Sequence, residues 1–171
     1  MRRSYIESPQ HLTVTRSTMN VFDRLVEQLD KRHVAYDVSH HEPVFTSDEA
    51  ARIRGTTLAS GAKALICKAD QQFIMFVLPA DKRLASKRVR KSEAIRSLRF
   101  ASREEVAELT GLRPGSIPPF GSLFELPTWC DEGLALQPTI NFNAGDHAVS
   151  ISMQYTDFLA FEQPRHGQFA E

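Results

Sequence analysis

Two stretches far apart in the chain hold the residue types that could do chemistry together. One is the loop Gly111-Leu-Arg-Pro114-Gly115-Ser116-Ile117-Pro118-Pro119-Phe-Gly121, with three glycines and three prolines in eleven residues. Glycine lets a backbone approach a ligand closely or take positive φ, and proline fixes φ while removing an N–H. The mixture makes a stiff loop with a few chosen main-chain donors and acceptors. Pro118 and Pro119 offer no N–H, whereas Gly115 and Ser116 keep theirs. The other stretch is Gly61-Ala-Lys63-Ala-Leu-Ile, a lysine at the start of an apolar run among small residues. Its stem can pack while its ammonium reaches a cleft. Two rigid backbone donors beside a cation can bind a small polar group and stabilise a developing oxyanion.

Other templates are missing. The chain has no GxSxG, no phosphate-binding P-loop, no dinucleotide fingerprint and no HExxH. His40 and His41 are adjacent, so in an extended segment they face opposite ways. With no CxxC and no spaced histidine pair a structural zinc is not expected, and the site is expected to work without a metal or cofactor. Cys67 and Cys130 form no disulfide framework, and a reducing cytoplasm is the simpler expectation.

The elements that must position these residues follow from pattern. Val21, Phe22, Leu25, Val26 and Leu29 recur at helical spacing from about Thr18 to His33. Val34–Val38 reads as a short strand. Thr46-Ser-Asp-Glu49 and Ser102-Arg-Glu-Glu105 are capping boxes that open two helices, which Gly55 and Gly111 end. Ala62–Lys68 and Phe73–Leu78 form a predicted hairpin. Ser86–Ile95 is predicted as a basic helix, and Tyr155–Phe161 as a closing helix. Strands are expected at Leu98–Ala101, Leu123–Leu126, Thr139–Phe142 and Val149–Met153, with a tight turn at Asn143–Asp146 between the last two. Helices and hairpins interleave, so the fold class is α/β (α+β mixed), one domain with a mixed, mostly antiparallel sheet flanked by helices. The domain is expected over 17–162, between an N-terminal extension, 1–16, held to be partly mobile, and a polar C-terminal tail, 163–171.

Charge is neutral overall and uneven along the chain. Residues 121–171 carry seven acidic side chains and one basic one, Arg165, leaving the first 120 residues at +6. The densest basic stretch runs from Lys82 to Arg99 and holds Lys82, Arg83, Lys87, Arg88, Arg90, Lys91, Arg96 and Arg99 against only Glu93. It reads either as a solvated helix face or as a surface for a phosphate backbone. No apolar run reaches membrane-spanning length, and the start of the chain lacks the apolar core of a signal peptide.

His41-Glu-Pro43-Val-Phe-Thr46, Gly61-Ala-Lys63-Ala-Leu, Val77-Leu-Pro79-Ala-Asp81, Leu109-Thr-Gly111, Gly115-Ser-Ile-Pro118-Pro119 and Asn141-Phe-Asn143-Ala-Gly145 occur in that order. In these segments the chain resembles the YbaK/prolyl-tRNA-synthetase-associated editing domains, over about residues 18–161. The resemblance implies hydrolysis of the ester that joins a wrong amino acid to the 3′ end of tRNA. Lys63 matches the lysine that holds the terminal phosphate or the ester. Gly115 and Ser116, with Ile117, Pro118 and Pro119, match the loop that grips the aminoacyl group. Asn143 falls where other branches of the family place pocket residues, and Thr46, Ala144 and Gly145, in the matching segments, are expected to bind substrate with it. The family needs no strong protein nucleophile, because the substrate's 2′-hydroxyl and a bound water assist.

The stretch Arg54 to Lys68 resembles most the freestanding branch that acts on seryl- and threonyl-tRNAs, more than an alanyl-tRNA-acting one. The expected partners are the acceptor end of aminoacyl-tRNA, with the basic stretch from Lys82 to Arg99, above all its residues up to Lys91, against its stem, and a synthetase; the chain is expected to be a cytoplasmic monomer. Asn143 could hydrogen-bond a substrate hydroxyl or merely cap its turn. Thr46 could line the pocket or only cap its helix. The rival to the deacylase is a non-catalytic module that binds a tRNA end, a nucleotide or another protein; a third reading is hydrolysis of a different small ester or amide.

Overall fold

Asn20 opens the first helix, its side chain accepting from the Asp23 N–H at 2.8 Å. In the computed structural model, which describes residues 19–171, this helix is α1, Val21–Lys31, and it buries Leu25 and Leu29. The expected N-terminal extension lies outside the described residues. Strand β1, Tyr36–His40, follows, then α2, Ser47–Arg54. Both arms of the Thr46–Glu49 capping box are formed, and Gly55 ends the helix in the left-handed region.

The predicted hairpin is present as β2, Ala62–Ala69, and β3, Gln72–Pro79, in antiparallel register with Lys63 opposite Leu78. Helix α3, Ser86–Ser92, is shorter than expected because Ala94 turns into positive φ. Strand β4, Leu98–Phe100, joins the far edge of β2. Helix α4, Arg103–Thr110, carries the second capping box and stops at Gly111, where the glycine-proline loop begins.

Leu123–Leu126 is not a strand. Gly121–Phe124 forms a 3₁₀ turn with Leu123 and Phe124 both buried, and Glu125 leaves it at positive φ. Pro127 holds the residue before it extended, and its carbonyl accepts from Met75 N–H at 3.0 Å. Pairing therefore starts later, in β5, Thr128–Asp131, parallel to β3. After a further 3₁₀ turn at Glu132–Leu136, β6, Thr139–Asn143, and β7, Val149–Gln154, pair antiparallel. Their connection is a five-residue loop, longer than the tight turn expected. Helix α5, Tyr155–Glu162, starts from Gln154 without a side-chain cap.

The segment from 163 onward, expected as a polar tail, pairs with the body of the protein. Strand β8, Arg165–Gly167, lies parallel to β5, and Phe169 is buried. The N–H groups of Phe169 and Ala170 donate to the Asp131 carboxylate at 2.7 and 2.8 Å.

The strands form two sheets instead of one. The order is β1-β7-β6 in one and β4-β2-β3-β5-β8 in the other. The second is the mixed sheet, with two antiparallel and two parallel pairings. Among the described residues one isolated parallel bridge, Gly61 to Asn141, joins the two sheets. Strand β3 is apolar from Phe73 onward, and both of its faces are covered from Ile74. Met75 and Val77 pack toward the main core of Leu25, Phe120, Phe142 and Phe158; Phe76 and Leu78 pack toward Val89 and Phe169.

Candidate functional site

The bridge between the sheets brings the two chemically equipped stretches together. Around it lies a cleft of about 230 Å³. Its walls are α2 with its N-cap Thr46, Ala51 and Arg54, the start of β2 with Lys63, β6 with Asn141 and Asn143, and the glycine-proline loop with Gly115 and Ile117. Gly61 sits where the strands meet. A Cβ there would fall 2.7 Å from the Ala80 Cβ, so only glycine allows this approach.

The glycine-proline loop is docked on the β6–β7 hairpin through three successive carbonyls. The Pro114 oxygen accepts from His147 Nε2 at 3.3 Å, so that nitrogen carries the imidazole proton. The Gly115 oxygen accepts from Asn143 Nδ2 at 2.8 Å, and the Ser116 oxygen from the Gly145 N–H at 2.8 Å. A planar trans peptide carries its N–H opposite its C=O. The N–H groups of Gly115, Ser116 and Ile117 therefore face away from the hairpin. That of Ser116 turns back to the Arg113 carbonyl at 3.2 Å. Those of Gly115 and Ile117 donate to no group among the described residues, and both residues line the cleft. Gly115 takes φ +89 to make this turn, a conformation that side-chain-bearing residues rarely adopt.

Lys63 is half-buried, and its Nζ donates to the Lys82 carbonyl. Burial lowers its pKa from the usual 10.5, and the charge of Asp81 works the other way. The bond ties the cleft lysine to the head of the basic stretch.

The structure thus brings Thr46, Lys63, Gly115, Ile117 and Asn143 to one cleft. It does not bring Ser116 there. Ser116 is buried, and its hydroxyl and N–H are both spent on Arg113, so the second free donor belongs to Ile117. Pro118, Pro119 and Ala144 are buried behind the cleft wall. Gly145 supports the loop from the hairpin side. Lys82, Arg83, Lys87, Arg88, Arg90 and Lys91 are all exposed. Arg88 is engaged by the Gln168 and Ala170 carbonyls, and Arg90 by the Arg96 carbonyl at 2.7 Å. The side chains of Lys82, Arg83, Lys87 and Lys91 have no partner among the described residues.

Arg54 was not foreseen. At the end of a capped helix a basic residue reads as a complement to the helix dipole. Here its guanidinium lies half-buried in the cleft wall, and burial pushes its pKa down to about 10, so it remains charged at neutral pH. Its Nε donates to Ser150 Oγ at 2.8 Å and its Nη2 to Asn143 Oδ1 at 2.6 Å. These partners lie 96 and 89 residues away, beyond any local pattern. His41 Nε2 meets the same Ser150 hydroxyl at 2.7 Å. Phe45 was also missed as a site residue: it is 74% exposed at the rim and rests on His147, ring centroids 4.9 Å apart. Among the described residues no three His, Cys, Asp or Glu side chains are grouped to hold a metal ion.

A family model described as the aminoacyl-tRNA editing domain matches residues 41–161. The multifunctional Ser/Thr-tRNA deacylase ProXp-y of Escherichia coli (strain K12) is 35% identical over 148 residues, covering 82% of this chain and 87% of that protein. The proline–tRNA ligase of Bacillus licheniformis is 31% identical over 115 residues, 67% of this chain and 20% of the ligase. A crystal structure of a protein proposed as a trans-editing enzyme for prolyl-tRNA synthetase superposes with a TM-score of 0.78 at 25% identity, covering 88% of this chain and 97% of that one.

Proposed function

The chain belongs to the aminoacyl-tRNA editing domain family and is a trans-editing aminoacyl-tRNA deacylase; from that premise we propose that it removes serine or threonine from mischarged tRNA by main-chain electrostatics. The observation that carries this reading is the pair of unpartnered N–H groups, Gly115 and Ile117, on a loop held by its carbonyls.

Attack of water on the ester carbon puts negative charge on the carbonyl oxygen. Preorganised donors lower that barrier because they need no reorientation as the charge develops. The C–O bond to the ribose then breaks, the departing ribose oxygen takes a proton, and the products are a free amino acid and tRNA with its hydroxyl restored. As the family resemblance implies, the substrate's own 2′-hydroxyl assists the water. The protein's share is positioning plus charge stabilisation. Lys63, held by the Lys82 carbonyl, meets the terminal phosphate or the ester. The similarity to ProXp-y supports a hydroxyl-bearing amino acid, and Ser47 and Thr57 bring hydroxyl side chains to the cleft. The exposed lysines from Lys82 to Lys91 meet the acceptor stem. The ligase relative supports a synthetase as the partner that releases the mischarged tRNA. Such a substrate places the work in the cytoplasm.

The test is deacylation of a panel of mischarged tRNAs by the wild type and Lys63→Ala. The wild type is expected to clear seryl- and threonyl-tRNA mispairs, and Lys63→Ala to lose at least about tenfold in kcat/KM. Because burial disfavours the ammonium, wild-type kcat/KM should also decline at a lower pH than the 10.5 of a free lysine. A fully active Lys63→Ala, or a wild type inactive on every pair, would sink this assignment.

A further inference from the structure

Resting on the deacylase reading, we propose that Arg54 is a positioning residue that fixes the oxyanion-binding loop through Asn143. A half-buried cation is costly to keep in a cleft wall unless its donors are satisfied or its charge is used. Arg54 forms no ion pair; the ion pairs among the described residues join Lys31 to Glu27, Arg99 to Glu105 and Arg165 to Glu93. Its acceptors are neutral oxygens, Ser150 Oγ and Asn143 Oδ1. A leucine or methionine of similar reach would pack there without that desolvation cost.

The chain of contacts shows what the arginine does. Asn143 has one amide with two ends. Its oxygen accepts from Arg54 at 2.6 Å, and its nitrogen donates to the Gly115 carbonyl at 2.8 Å. Both ends are engaged within the protein, which holds the amide in one orientation at the cleft wall. The charge-assisted bond to its oxygen selects one flip of the amide, the one that presents Nδ2 to Gly115. Rotated by half a turn, the amide would aim its NH₂ at the guanidinium and its oxygen at the Gly115 carbonyl, two repulsive contacts.

The Gly115 carbonyl in turn sets the plane of the Gly115–Ser116 peptide, the middle of the three docked on the hairpin. Its neighbours on either side carry the free Gly115 and Ile117 N–H groups. Ser150 holds the guanidinium from the other side, and His41 fixes Ser150: Nδ1 donates to the Glu42 carbonyl at 2.8 Å, leaving Nε2 to accept from the Ser150 hydroxyl. Five residues from α2, β6, β7, the loop and the segment before α2 thus share one hydrogen-bonded line ending at the loop.

A double-mutant cycle tests this. Seryl- and threonyl-tRNA deacylation is measured over a range of substrate for the wild type, Arg54→Met, Asn143→Ala and the double variant, with thermal melting as a check on folding. If Arg54 acts through Asn143, each single variant loses about ten- to a hundredfold in kcat with KM within about twofold, and the double variant is no worse than Asn143→Ala alone. Losses that multiply in the double variant, or a raised KM with kcat unchanged in Arg54→Met, would overturn the relay in favour of direct contact with substrate. Asn143→Asp supplies a second readout that does not depend on Arg54→Met folding. It keeps the acceptor for Arg54 but cannot donate to Gly115, so its kcat should fall as far as that of Asn143→Ala; an active Asn143→Asp also overturns the proposal. A wild type inactive on all mischarged tRNAs would remove the deacylase reading itself, an outcome distinct from any pattern among the variants.

Discussion

Ser116 and Gly115 are neighbours with opposite fates, and the difference lies in peptide geometry. Both keep an N–H in a proline-rich loop, which is as far as composition can discriminate. Which N–H remains available depends on where the carbonyls dock, and that is decided by Asn143, Gly145 and His147 on a hairpin about thirty residues later. Ser116→Ala should therefore behave as a structural change. It removes one buried bond from the hydroxyl to the Arg113 carbonyl, costs about 1 kcal/mol in a denaturant titration, and leaves kcat within about twofold of wild type. Gly115→Ala should do the reverse in proportion. At φ +89 a side chain costs about 1–2 kcal/mol; its Cβ would meet His147 Nε2 only at an ordinary contact distance of 3.4 Å, so it is the backbone strain that shifts the loop, and kcat falls by at least about tenfold under single-turnover conditions. If the two variants lost kcat equally, the assignment of Ile117 as the second donor would be wrong.

At the scale of elements, what could be read from the sequence was whatever carries its signal locally. Both capping boxes, the β2–β3 hairpin and the apolar stripe of α1 are set by residues three or four apart or by an unbroken apolar run, and all are formed. The misread elements depend on distant partners. The run Leu123–Leu126 is apolar enough for a strand, but burial of Leu123 and Phe124 against the main core curls it into a turn. Strand β8 has little pattern of its own and exists because Asp131 and β5 receive it. Arg54 is the same case inside the site: its helix was predictable and its use was not. Thr46 shows how an element and a site can share a residue. Its hydroxyl accepts from the Glu49 N–H at 3.2 Å while the residue lines the cleft. Thr46→Ala should cost about 1 kcal/mol by thermal melting, whereas Thr46→Ser should keep the cap and the stability. A loss of activity in Thr46→Ser at unchanged melting temperature would show that the methyl group contacts substrate; equal melting losses in both variants would contradict the capping role.

Across the whole molecule, the last seven residues connect the buried core to the basic surface. Asp131 is 6% exposed, and its two oxygens accept three N–H groups, from Gly133, Phe169 and Ala170. Arg88 of α3 reaches back to the Gln168 and Ala170 carbonyls, and Arg83 exchanges backbone bonds with Glu171. The acidic end of the chain thereby holds the basic segment in place while leaving Lys82, Lys87 and Lys91 uncommitted. Removing residues 165–171 would expose the Phe169 site and strip a buried carboxylate of two donors, a loss of about 3–5 kcal/mol. Asp131→Asn should lose less, because an amide oxygen can still accept from part of the set; equal stability of both variants and the wild type in urea would refute the anchoring role. The lysines themselves call for a different measurement. Phosphate contacts release counterions, so log(kcat/KM) for aminoacyl-tRNA should fall linearly with log[salt], and each lost contact should reduce that slope by about 0.7–0.9. Lys87→Ala/Lys91→Ala should therefore raise KM and flatten the salt dependence by about 1.4–1.8, with kcat and melting temperature unchanged, since neither exposed side chain has a hydrogen-bond or ion-pair partner among the described residues. An unaltered slope would assign α3 to solvent, and the acceptor stem would then have to approach the cleft from the side of Phe45 and His147.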